Sequence, residues 1–429
     1  MSQSNPSSRL LIKQGRVIDP ANKLDDFKDI YIENGHIAEV ADNIDQPKAE
    51  QVIDANGLIV IPGVVDLCAR VREPGLEHKA TIESETIAAS KAGVTTLCCP
   101  PDTDPVIDET AVVDLINHGV KNAGHSHIVC LGAMTSKLKG EHLSEMAALK
   151  HAGCVGVSNA GKAITNTLVL RRAFEYAASH DLTVFIQPND PYLSNSGCAH
   201  EGALATRLGL PGIPDAAEST IIARDLELIA EIGVRAHFGR LSSARSINLI
   251  QQAQQQGLKV TADVAIHQLF LTDMDLSTYN SHCHVLPPFR ELRDRDVLRQ
   301  AVANGSIQAI CSDHQPHEED AKLHPFPATE PGISGLESLL PLTFKLVTEN
   351  ILSWPQAVAT LTSSPANILG IDKGHLSVGA KADLAIIDPD TDWTMESDNM
   401  LSAGKNTPFL GWGFQHQVRH TIIDGQLIK

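Results

Sequence analysis

No stretch of the sequence reaches the roughly 18 uninterrupted apolar residues that a transmembrane helix needs, so a membrane-embedded protein is not expected. Positive charge is scarce: 34 Lys and Arg stand against 52 Asp and Glu, for a formal net charge of -18. Nucleic acid and anionic membrane surfaces both require a basic face, so neither is an expected partner. Local arginine clusters can still exist within an acidic total. Cysteine is present at eight positions (68, 98, 99, 130, 154, 198, 283 and 311), but none forms a CxxC pair and several lie in apolar, strand-like runs. That usage predicts reduced core thiols of a cytoplasmic protein, not a disulfide framework. The chain also lacks a low-complexity linker, and its GxG-like fragments have no phosphate-binding context. Its first ten residues, MSQSNPSSRL, are polar and read as a frayed terminus, not a secretory signal.

What the chain does have is size and pattern. At 429 residues and 42% hydrophobic content it suits a large barrel with a smaller appended domain, and disorder is excluded. The stretches LLIKQGRVIDP, DIYIENGHIAEV and QVIDANGLIV alternate apolar and polar residues, with Asn34-Gly35 and Asn56-Gly57 placed as hairpin-type turns. KADLAIIDPD and VRHTIIDGQLIK have the same texture near the other terminus. Residues 1–60 and 370–429 are therefore expected to build one small β-sandwich together, with residues 61–369 as a barrel. Within that middle part, the apolar runs VVDLC, TTLCC, HIVCLGA, CVGVSN, TVFIQ, RAHFGRL, KVTADV and IQAICSD alternate with helix-period segments, most of which end on Gly. Eight such units predict an α/β fold of the (β/α)8 TIM-barrel kind; an open doubly wound sheet is the alternative.

In a parallel barrel, chemistry sits at the carboxyl ends of the strands. Those ends carry Cys68, Arg70, Asp102, Asn159, Ala160, Gln187, Arg240, His267, Asp313, His314 and His317. A hydrolytic metal site needs three or four His, carboxylate or Cys ligands and an open position for water. A guanidinium has no lone pair and keeps its charge, so Arg70 and Arg240 would repel a divalent cation.

The segments EPGLEHKATIESETIAASKAGVTTLCC, TRLGLPGIPDAAE, SDHQPH, GISGLESLLPL and KNTPFLG occur in the order found in bacterial dihydroorotases, metal-dependent amidohydrolases, and the resemblance runs from about Leu10 to Ile428. It implies an amidohydrolase-type barrel whose metal ligands have been replaced. The family's first two metal histidines fall on Cys68 and Arg70, its acidic pair on Asn159 and Ala160, and two further histidines on Gln187 and Arg240. The catalytic aspartate position keeps Asp313. Among substrate-holding positions Arg72 is kept and His317 lies in a matching signature, while the family's two Asn fall on Asp102 and Leu286.

The resemblance thus implies a dihydroorotase homologue with no catalytic residues, no metal and no cofactor. Such a pseudoenzyme associates with the aspartate transcarbamoylase catalytic chain and supports its assembly in pyrimidine synthesis. A homodimer or higher oligomer is also expected. Two other functions stay open: a residual or altered amidohydrolase, and a ligand-sensing regulatory subunit. At single residues, Asp313 reads either as a general base or as a carboxylate paired with arginine. Arg70 and Arg240 either hold an anion with Arg72 or compensate Asp102 and Asp313. Cys68 reads as a buried thiol more than a lone zinc ligand, His282 and His284 as loop residues more than ligands, and Lys162 as an exposed cation in a turn.

Overall fold

Alternation of buried and exposed positions builds the terminal strands. The computed structural model describes residues 9–45, 49–123 and 125–428. The expectations for residues 1–8, and for Gly124 as a helix end, lie outside them. Strand β1 (Arg9–Asp19) pairs antiparallel with β2 (Leu24–Glu33), and β2 with β3 (His36–Ala41), across a turn in which Asn34 and Gly35 both have positive φ.

The Asn56-Gly57 turn behaves otherwise. It joins β4 (Gln51–Asp54) to β5 (Ile59–Pro62), which do not pair with each other but lie one after the other, both parallel to β1. The step between them matches an irregularity in β1 between Ile12 and Gly15. The expected hairpin is therefore a jog along one edge.

The barrel strands are short and buried on both faces, as parallel strands flanked by helices must be. They are β6 (Val64–Asp66), β7 (Val94–Cys99), β8 (His127–Ala133), β9 (Gly156–Ser158) and β10 (Val184–Ile186). A small parallel pair follows, β11 (Ala199–His200) with β12 (Gly212–Ile213), and then β13 (Ala236–Phe238), β14 (Val260–Ala265) and β15 (Ala309–Cys311) complete the wall. The eight wall strands are hydrogen-bonded in the order β15-β14-β13-β10-β9-β8-β7-β6. Intervening helices start where the sequence supplies caps: Thr81 and Ser84 form a capping box for Ile82–Lys91, and Ser243 caps Ala244–Gln255. Gly233 ends Ala216–Ile232 in the left-handed conformation.

Closure between the first and last wall strands occurs at their carboxyl ends. Ala69 bridges His314, the Arg70 N–H donates to the His314 carbonyl (2.9 Å) and the His314 N–H to that of Cys68 (3.1 Å). Below it, the buried Asp66 carboxylate accepts the Ser312 N–H (2.9 Å) and hydroxyl. Cys68, Arg70, Asp313 and His314, expected at the site, therefore stand on the seam of the barrel.

Strand β16 (Leu384–Asp388) returns antiparallel to β5; after the short pair β17 (Trp393–Thr394) and β18 (Gly413–Phe414), β19 (Gln417–Ile423) and β20 (Gln426–Leu427) extend its edge. Both termini thus form one continuous mixed sheet of eight strands, with an apolar core of its own that includes Ile12, Ile30, Ile32, Val60, Leu384 and Ile422. All eight cysteines are buried and unpaired. No helix among the described residues is long and apolar enough to cross a membrane.

Candidate functional site

Four of the strand-end residues have left-handed backbones: Arg72 (φ 65°), Ala160 (φ 48°), Arg240 (φ 58°) and Asp313 (φ 46°). Non-glycine residues adopt this region at a cost, and proteins keep them mainly where a side chain or a loop must be aimed. These four residues aim their side chains and loops at the barrel mouth.

The side chains mounted on it form one connected group. Asp313, 1% exposed, faces Nη1 of both Arg70 and Arg240 through Oδ1, each at 3.5 Å, and accepts from Gln315 Nε2 through Oδ2 at 3.2 Å. Arg70 Nε donates to Asp102 (2.8 Å), and Arg240 Nη2 to Gln187 Oε1 (2.7 Å). The Gln187 amide in turn donates to the Leu286 carbonyl (3.3 Å). The Cys68 sulfur accepts from Arg240 Nη1 and lies 3.6 Å from Asp313 Oδ1, to which its own proton is directed. Burial pushes this thiol up to about 12, against the pull of the two guanidiniums, so it carries its proton at neutral pH. Burial also works against charge on Asp102, but Arg70 and then Arg72 outweigh it and hold that carboxyl below its ordinary range.

Six of the predicted positions therefore meet: Cys68, Arg70, Asp102, Gln187, Arg240 and Asp313. Others do not join them. Asn159 accepts the Thr135 hydroxyl through Oδ1 (2.8 Å) and donates through Nδ2 to the Lys162 carbonyl (2.7 Å), holding the loop that Ala160 turns. Arg72 donates to the Pro316 carbonyl (3.0 Å) and abuts His317 (3.1 Å). Leu286 joins only through its carbonyl. Lys162 is exposed. His282 lies within a 3₁₀ turn (Ser281–Cys283) that His284 ends, and His284 is hydrogen-bonded to Thr329 and packed on Phe326. His267 is buried with neither ring nitrogen hydrogen-bonded.

Two supporting groups escaped the sequence reading. His237 and Asp263 pair at 2.8 Å, and Asp263 accepts the Arg240 N–H at 2.6 Å, fixing the turn that aims the guanidinium. Arg290 and Glu218 anchor the wall around Ser242. For His237, Asp263 and Glu218 the signal was an ionisable residue inside an otherwise apolar strand or in a helix's first turn; Arg290, in a connection, carried none.

These donors do not fit a divalent cation. Two fixed positive charges face Asp313, Asn159 is engaged elsewhere, Ala160 offers no side-chain donor, and the thiol is protonated. Among the described residues one grouping is compact enough for a cation: His127, Asp383 and Asp424, at the opposite end of the barrel. Lys373 pairs with Asp383 there and Lys381 with Asp424, so its charge is already balanced.

Residues 57–246 match the family described as dihydro-orotase-like, and residues 347–428 the amidohydrolase family. A dihydroorotase-like protein of Pseudomonas putida is 48% identical over 96% of this chain and 97% of its own length. A second, from Pseudomonas aeruginosa, is 47% identical over 97% and 98%. A dihydroorotase of Geobacter sp. (strain M21) is 40% identical over 98% and 99%. Among solved structures, the L-hydantoinase (dihydropyrimidinase) of Arthrobacter aurescens superposes with a TM-score of 0.88 over 98% of this chain and 95% of that one, at 23% identity, a likeness of fold.

Proposed function

The chain belongs to the dihydroorotase-like family of amidohydrolases, and from that premise we propose that it is a non-catalytic member supporting the assembly of aspartate transcarbamoylase in pyrimidine synthesis. One observation carries the loss of catalysis: Arg70 and Arg240 both face Asp313 at 3.5 Å, where a hydrolase of this family would need metal ligands and a free base. A guanidinium has no lone pair to give a metal, so the positions of Arg70 and Arg240 cannot help hold the Lewis acid that this hydrolysis needs. The partner follows from the family resemblance. A barrel kept intact around such a site fits a structural role.

Co-expression with aspartate transcarbamoylase from the same organism tests the reading, by size-exclusion chromatography with light scattering and an assay of each fraction. A shared high-mass peak is expected, with its mass or transferase activity reduced when this chain is omitted. Separate peaks with unchanged activity would remove the assembly role. A residual hydrolase is the reading favoured by the retained Asp313 and by 40% identity to a dihydroorotase. Sustained cyclisation of carbamoyl aspartate by the purified chain would establish it.

A further inference from the structure

The barrel mouth contains a cavity of about 190 Å³ whose charged lining is Arg70, Lys162 and Arg290 against Glu218. Three cations face one carboxylate on the lining itself, in a chain whose total is -18, and Arg70 is also paired with Asp102 and Asp313. The one acid is fully engaged: Glu218 accepts the Ser242 and Ser243 N–H groups at 3.1 and 3.2 Å together with both hydroxyls.

The two arginines are engaged on one side only. Arg70 directs Nε to Asp102 and Nη1 to Asp313 and Cys68, while Nη2 has no hydrogen-bond partner among the described residues. Arg290 directs Nε to Ser242 and Nη1 to the Ile213 carbonyl and His200, and its Nη2 is likewise unpartnered. These residues are 9% and 3% exposed, and both line the cavity. Leaving a buried guanidinium N–H unmet is costly, and charge-assisted bonds to an oxyanion are its strongest remedy. The ion pairs with Asp102 and Asp313 account for the positions of Nε and Nη1 in Arg70. They do not account for the third nitrogen.

We propose that this cavity binds a small oxyanion, a carboxylate or phosphate group, between Arg70 and Arg290 with Lys162 at the rim. The volume suits a group of a few heavy atoms. Asn189, which also lines the cavity, supplies an amide that is not otherwise hydrogen-bonded among the described residues. The site goes beyond the assembly role and does not depend on it.

Equilibrium binding to the purified full chain tests the site without a partner or turnover. Inorganic phosphate and succinate would each be titrated by calorimetry and thermal shift, with chloride at matched ionic strength as the control. The expected result is saturable binding of at least one oxyanion, weakened tenfold or more in Lys162→Glu, an exposed position whose unliganded melting temperature should stay at the parent value. Saturation by phosphate alone or by succinate alone would identify which oxyanion the cavity takes. A second variant, Arg290→Lys, keeps the charge but removes the free edge and should also weaken binding. No saturation by either anion, or equal affinity in parent and Lys162→Glu, would overturn the site and leave the assembly experiment unaffected.

Discussion

Arg240 ties together three residues of the barrel mouth: it meets Cys68, Gln187 and Asp313, and its backbone N–H is held by Asp263. Removing one partner of a buried ion pair leaves the other charge uncompensated, which costs about 3–5 kcal/mol. Arg240→Ala should lose stability on that order in urea unfolding, and an unchanged midpoint would refute its role as the internal counter-charge. His267 makes a second prediction. Burial holds its pKa down at about 4, against an ordinary 6.5, so the unfolded chain takes up this proton first as the pH falls. Its contribution is complete above pH 6.5 and is lost progressively between pH 6.5 and 4, by at most about 3 kcal/mol. His267→Leu should flatten the decline of unfolding free energy across that window; a slope equal to the parent's would refute the assignment. What the sequence made legible at this scale was identity at strand ends, because the strand pattern sets those positions. The use of each side chain was not legible. Asn159 stood at a ligand position, but its amide goes to Thr135 and to the Lys162 carbonyl, contacts that depend on a loop path the sequence does not spell out.

Strands and helices were easier to read than their connections. The apolar runs around Val94–Cys99 and Val260–Ala265 are strands because a doubly covered parallel wall demands continuous burial, and that demand is written in composition. Asn56-Gly57 shows the limit: turn chemistry announces a reversal or a step, but which strands pair depends on partners far along the chain. Loops at the mouth are fixed by close approach. Gly75 has φ +99°, and a Cβ built there would lie 2.0 Å from the Asp104 carbonyl oxygen, in the loop that presents Asp102. Gly75→Ala would combine an unfavourable backbone with a clash against a carbonyl that cannot rotate aside, at about 2 kcal/mol or more. A lowered melting temperature, with chemical-shift changes spreading to Asp102 and Arg70, is expected. A variant melting with the parent would show the two loops to be independent.

At the level of the molecule, a catalytic constellation in this fold is assembled from the ends of many strands, so repairing one strand cannot restore it. The strand-end residues lie after β6 (Cys68, Arg70), β9 (Asn159, Ala160), β10 (Gln187) and β13 (Arg240), and those of β6, β10 and β13 support one another: Arg240 meets both Gln187 and Cys68. On the proposed non-catalytic reading, such mutual support stabilises the site without a metal, because Arg70 and Arg240 compensate Asp102 and Asp313. Cys68→His with Arg70→His would put two imidazoles on the seam, yet Arg240 would still face Asp313, and Asp102 would lose the guanidinium that now binds it. The double variant should therefore be less stable than the parent, take up less than one zinc per chain by elemental analysis, and form no dihydroorotate from carbamoyl aspartate. Stoichiometric zinc with measurable cyclisation in this variant would mean that two substitutions alone separate the chain from activity, and the reading of a barrel kept for assembly would have to be given up.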